Sequence, residues 1–226
     1  MRLAGLLSSG KDSVYVARLA QEQGHSLVYL VSLRSENPDS YMFHTVNIDL
    51  TRLQAKAWGI PHVAAETKGV KEEELRDLKK ALEKLDIDGV ITGAIASKYQ
   101  ADRIDRLCKE LELYHFHPLW GKDREELLNE MLDADIRIIF SAVAAHGLDP
   151  TWLGEPLTHE RIMMLKELNN RYGVDMCGEG GEYESLVIDA PWFTHHIKII
   201  EAEKTWDGVS GRYNIREACL TPKATT

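Results

Sequence analysis

Cysteine is scarce in this chain of 226 residues, and the three present, Cys108, Cys177 and Cys219, form neither a C-x-x-C pair nor a disulfide framework. A cross-linked extracellular scaffold is excluded, and a reducing compartment fits. Positive charge is in deficit: 27 Lys and Arg stand against 36 Asp and Glu, a formal net charge of -9. That balance argues against a broad electrostatic grip on nucleic acid, so no nucleic-acid partner is expected. No apolar run approaches the roughly 20 residues of a membrane span, and no membrane partner is expected. The stretch 3–7 behind Met1 and Arg2 imitates a secretion leader, but it is short and leads into Lys11 and Asp12 instead of a cleavage site. The expectation is a cytoplasmic protein. Repeats and low-complexity tracts are absent too. What remains is a globular composition, 44% hydrophobic and 28% charged, long enough for one domain or two small ones.

The stretch that organises the chain is its first: an apolar run at 3–7, then Ser8-Ser9-Gly10-Lys11-Asp12-Ser13, then a helix with Val14, Val16, Ala17, Leu19 and Ala20 as its buried stripe. Strand, tight turn and helix form a site for an anion. Small residues let the backbone come close, and the unpaired N–H groups of the helix's first turn point at the ligand. Lys11 adds a full positive charge, while Ser9 and Ser13 supply hydroxyl donors. Gly5 through Lys11 also has the spacing G-x-x-x-x-G-K of another phosphate loop. That loop requires Ser or Thr next, to hold Mg²⁺, and Asp12 stands there instead.

Downstream, strands are expected at 27–33, 62–65 and 89–92, with a polar loop at 34–40 and helices at 51–58, 71–85 and 99–111. Alternating strands and helices imply a parallel α/β sheet covered on both faces. Ligands of such sheets sit beyond the carboxyl ends of the strands, where the winding direction reverses. The turns after the first and fourth strands are the natural walls of one nucleotide pocket. Residues 115–121, with Pro118, read as a seam, giving domains 1–121 and 122–226. The second half is expected to be a smaller α/β unit, with helices at 124–132 and 158–172 and strands at 136–143, 186–188 and 197–202. The strand 197–202 is expected to be the last, and 221–226 a loose tail.

Several motifs stand in order along this frame: SSGKDS at 8–13, DSYMFHTVN at 39–47, TGAIASKYQADRI at 92–104, HPLWG at 117–121, WLG at 152–154 and GEGGEYE at 178–184. The first resembles the SGGKDS loop of the ATP pyrophosphatases, with Ser9 in place of the usual second glycine. Together the motifs resemble the archaeal and eukaryotic diphthine–ammonia ligases of that superfamily, over about residues 3–191. Ala101 stands where that family often has a basic residue. The resemblance implies a Rossmann-like sheet of the HUP type and the last step of diphthamide formation on elongation factor 2. The carboxylate of diphthine, a modified histidine, becomes an amide at the expense of ATP. Oxide is a poor leaving group and AMP a good one, which is why adenylation precedes attack by ammonia. With no sign of an attached glutaminase, free ammonia is the expected nitrogen source.

On that resemblance Ser8, Ser9, Gly10, Lys11, Asp12 and Ser13 hold pyrophosphate, with Lys11 and Asp12 catalytic and Mg²⁺ expected between phosphate oxygens. Gly93, Ala94 and Ile95 let the nucleotide lie against backbone. Ser97, Tyr99 and Arg103 stand near the phosphates or the acceptor, although Ser97 also suits a plain helix cap. Glu179, Gly180, Gly181, Glu182, Tyr183 and Glu184 offer carboxylates and an aromatic face to the trimethylammonium group of diphthine, with Glu182 also catalytic. By themselves three acids around a Gly-Gly turn read as a solvated loop. Residues 39–47 are expected to close over the pocket, with His44 the most chemical among them. His115 and His117 alternate like a metal pair, but no third donor stands at suitable spacing, so no metal ligand is expected. Trp120 and Trp152 read as core anchors, and Cys177 as no nucleophile. Two rivals remain open: an ATP pyrophosphatase adenylating a tRNA base, and a nucleotide sensor without turnover.

Overall fold

The opening apolar run becomes β1 (Arg2–Leu6), buried at its centre and paired on both sides. A strand covered on both faces shows no alternation, so five residues suffice to mark it. A computed structural model of the chain describes residues 1–36, 46–70 and 73–223. After β1 come α1 (Lys11–Glu22), β2 (Ser26–Ser35), α2 (Thr51–Trp58), β3 (His62–Thr67), α3 (Glu73–Leu82), β4 (Gly89–Ile91), α4 (Lys98–Glu110) and β5 (Tyr114–Phe116). The five strands form one parallel sheet of order β3-β2-β1-β4-β5. Its winding reverses between β1 and β4, which opens a crevice at their carboxyl ends.

Two stretches read without a strand carry one in this half. Arg34 and Ser35, assigned to loop, extend β2 by pairing with Glu66 and Thr67. The supposed seam begins inside a strand: β5 pairs with β4, Tyr114 opposite Gly89 and Phe116 opposite Ile91. Three residues of mixed polarity carry too little pattern to announce a strand; the edge of the sheet supplies what the pattern lacks. Of the motif at 39–47, residues 39–45, His44 included, lie outside the described residues. At its end Asn47 is tied to the second half, its Nδ2 donating to Tyr213 O at 2.9 Å and its Oδ1 accepting from Ile215 N at 3.0 Å.

The second half runs α5 (Arg124–Asp133), β6 (Arg137–Val143), α6 (His159–Tyr172), β7 (Tyr183–Asp189), β8 (His195–Trp206) and β9 (Gly211–Pro222). Its sheet is antiparallel, of order β7-β6-β9-β8. The strand expected to be last is followed by another: β8 and β9 make a long hairpin that takes in Thr221 and Pro222, where a tail was expected. Half its side chains face outward, so hydrophobic pattern says little about it. At the tip Asp207 Oδ1 accepts from the N–H groups of Val209 and Ser210, an Asx-type turn.

Side-chain caps mark the later helices but neither α1 nor α2. Ser97, Asp123 and Thr158 cap α4, α5 and α6 by accepting from Gln100, Glu126 and Arg161 N–H. Helix α1 begins at Gly10 with no side-chain cap of its own. One buried cluster runs from Leu3, Val14 and Trp58 through Leu128 to Phe140, Trp152 and Phe193, so the two sheets share a core. A second, with Val31, Leu78, Leu82 and Ile104, covers the other face of the parallel sheet. Trp152 is an anchor, edge-to-face on Phe140 at 5.0 Å between centroids. Trp120 is not, being 39% exposed. Among the described residues no helix is long and apolar enough to cross a membrane.

Candidate active site

The turn after β1 holds Ser9 at φ 71°, the left-handed region where glycine is at home. Hydrogen bonds from both halves fix that turn. Ser9 O accepts from Gln54 Nε2 at 2.9 Å and from Val187 N–H at 3.0 Å. Ser13 Oγ accepts from Ser8 N–H and donates to Gly10 O. Lys11 N–H donates to Ser185 Oγ at 3.1 Å, so β7 of the second sheet stands in for a helix cap. Among the described residues no acceptor meets the N–H of Asp12 or Ser13. A helix start with free N–H groups beside small residues suits a phosphate.

Lys11 is not free in this turn. Its side chain is 2% exposed, its Nζ donates to Cys177 O at 2.6 Å and to Asp12 Oδ2 at 2.9 Å, and it lies 5.2 Å from the centroid of the Tyr183 ring. Burial disfavours the ammonium, but Asp12, with Tyr183 and Cys177 beside it, outweighs that and holds the Lys11 pKa above its usual range. Its charge ties the phosphate turn to the Glu-rich loop. Asp12 Oδ1, by contrast, is buried with no hydrogen-bond partner among the described residues.

The turn after β4 meets this one. A Cβ on Gly93 would stand 2.7 Å from the Asp12 carbonyl carbon, so only glycine permits the approach. Thr92, Gly93 and Ala94 form one wall of a cavity of about 130 Å³, with Leu6, Val31 and Leu33 among the apolar residues opposite. A second cavity, about 350 Å³, lies between the phosphate turn and the Glu-rich loop, lined by Tyr99, Gly181 and Glu184 among others. Ser8, Asp12, Gln100 and Glu179 line both, so the chambers adjoin. Ile95 lies fully buried behind the wall and lines neither.

The three acids of the Glu-rich loop part company. Glu179 Oε2 accepts from Ala96 N–H at 2.9 Å and Ser97 N–H at 3.0 Å, at the positive end of α4. Glu184 lines the second chamber. Glu182 turns into its own loop, accepting from Asp175 N–H at 3.1 Å and Gly180 N–H at 2.8 Å, and lines neither chamber. Tyr183 is buried, its hydroxyl donating to Met176 O and its ring facing Lys11, so that face is taken. Gly180 and Gly181 border the second chamber. Ser97 lines it too while capping α4. Arg103 stacks on the Tyr99 ring, 3.6 Å from its centroid, and is absent from the lining of both chambers.

Four participants escaped the sequence reading. Gln100 borders both chambers and sits within TGAIASKYQADRI, which was its signal. Gln54, fully buried, and Ser185 hold the phosphate turn from outside, and neither has a local signature. The fourth corrects the statement that His115 and His117 lack a third donor: Asp105 of α4 packs against them, a partner that linear spacing along β5 does not reveal.

Comparison with known proteins adds an independent line. The family models "Diphthamide synthase N-terminal domain" and "Diphthamide synthase C-terminal domain" match residues 1–115 and 123–221. Diphthine–ammonia ligase of Danio rerio is 39% identical over 91% of this chain and 88% of its own length. That of Homo sapiens is 37% identical over 90% and 84%. The Saccharomyces cerevisiae protein of the same name is 32% identical over 92% of this chain but only 36% of its own length.

Proposed function

Because the chain belongs to the diphthamide synthase family, we propose that it is a diphthine–ammonia ligase, making the carboxylate of diphthine on elongation factor 2 into an amide with ammonia and ATP. The observation that carries the reading is the pair of adjoining chambers. One is mostly apolar and backed by the Gly93 turn, as a nucleoside requires; the other adds Glu184 to the Asp12 and Glu179 carboxylates that the two share, as a cationic acceptor requires. Between them lie the helix start of α1 and Ser8, where the phosphates bridging the two reactants belong.

The substrate carboxylate oxygen attacks the α-phosphorus of ATP, and the bond to the β-phosphate breaks to release pyrophosphate. The N–H groups of Asp12 and Ser13 and the Ser8 hydroxyl stabilise the charge that develops on the leaving group. Ammonia then attacks the acyl carbon, AMP departs, and the nitrogen loses a proton to form the amide. Glu179 and Glu184 attract the trimethylammonium group across the second chamber. Glu182 acts through the loop it braces. Asp12 Oδ1, buried without a partner beside the turn, fits a hard divalent cation such as Mg²⁺, which would neutralise phosphate charge there.

The test is product analysis with ATP and ammonia, supplying elongation factor 2 bearing diphthine, unmodified elongation factor 2, or tRNA. AMP and pyrophosphate formed only with the diphthine-bearing factor, with a matching amide mass on it, support the proposal. ADP and orthophosphate, or turnover driven by tRNA, would sink it.

A further inference from the structure

We propose that Asp105, His115 and His117 form a binding site for a zinc-class divalent cation, separate from the phosphate turn. Asp105 lies on α4, His115 on β5 and His117 just beyond it, and one candidate ligand atom from each lies within 4.8 Å of the others. Two imidazoles and a carboxylate, with a fourth position left to water, suit Zn²⁺, Co²⁺ or Ni²⁺ better than Mg²⁺ or Ca²⁺, which prefer oxygen.

Three further observations point the same way. His117 Nδ1 is buried with no hydrogen-bond partner among the described residues, a cost that a metal bond relieves. His115 is fixed from outside: its Nε2 lies 2.7 Å from Thr92 Oγ1, the kind of outer contact that orients a ligating ring. Asp105, 43% exposed at its side chain, gives an ion a charged way in to a His115 side chain only 4% exposed.

Metal–ligand bonds of about 2.0–2.2 Å draw the outer donors inward, and the 2.6 Å hydrogen bond between His115 Nδ1 and Asp105 Oδ1 opens as both atoms turn to the ion. With Nδ1 ligating, the ring carries its proton on Nε2 and donates it to Thr92 Oγ1. Thr92 lines the chamber assigned to the nucleoside, so its own hydroxyl hydrogen becomes available there. Occupancy of the metal site is thus felt at the nucleotide wall.

The full chain, stripped with EDTA and dialysed, is titrated with Co²⁺ while the visible d–d absorption is followed. Saturation at one ion per chain, reversal by Zn²⁺ and indifference to excess Mg²⁺ are expected. His117→Gln and Asp105→Asn each weaken binding at least about 10-fold, with thermal unfolding of the metal-free variants measured alongside to establish that they fold. Should either fail to fold, imidazole nitrogen NMR of the wild-type chain decides instead, since Zn²⁺ must shift the His115 and His117 resonances. Absence of saturable Co²⁺ binding, undiminished binding in both folded variants, or Zn²⁺ binding that leaves those resonances unmoved overturns the proposal.

Discussion

Replacing Lys11 with Met separates two roles for that residue. Were Lys11 a phosphate ligand alone, as the motif by itself suggests, Lys11→Met would abolish turnover and leave stability nearly unchanged. The structure demands otherwise. The Lys11 ammonium is buried, bonded to Cys177 O and paired with Asp12, whose other oxygen already lacks a partner. Methionine preserves bulk but strands the carboxylate, and breaking one side of such a pair costs about 3–5 kcal/mol. Urea unfolding monitored by tryptophan fluorescence should record that loss, with ATP-to-AMP turnover falling as the turn parts from the Glu-rich loop. The sign of the pH dependence follows from the raised Lys11 pKa. A group held above its unfolded value of about 10.4 contributes in full below it and loses that contribution only as pH climbs toward the folded value. The deficit should therefore be flat between about pH 6 and 9. A stability loss under about 1 kcal/mol, against the 3–5 expected, would refute the reasoning.

Gly93→Ala should destabilise by about 1–3 kcal/mol, because the new Cβ meets Asp12 backbone and no flexible side chain can yield; pyrophosphate release should fall at least about 10-fold as the turn shifts, and wild-type turnover would contradict the shared wall. Ser9→Gly is expected to stabilise by roughly 0.5–1 kcal/mol in the same unfolding assay, as relief at φ 71° exceeds the added freedom of the unfolded chain; a loss instead would assign the hydroxyl a role. Iodoacetamide at about pH 8 should alkylate Cys219 alone on the native chain, since burial both hides Cys108 and Cys177 and pushes each thiol up to about 12. Intact-mass analysis showing a second adduct before unfolding would deny the packing around Cys177.

The sequence by itself determined the strand–turn–helix at residues 2–22, the alternation that makes the first sheet parallel, and the family through its ordered motifs. These are local signals: an apolar run, a run of small residues and a helical stripe keep their meaning wherever the chain later goes. It did not determine β5 or β9, whose short or half-exposed strands need neighbours to define them. It could not tell that Lys11 would be spent on Cys177 and Asp12, or that Glu179 would lie on the N–H groups of Ala96 and Ser97 while Glu182 braced its own loop. Nor did it bring Asp105 to His115 and His117. A residue's type fixes what chemistry it can offer, but its partner is chosen by contacts across the sheets, and only the folded chain brings those positions together.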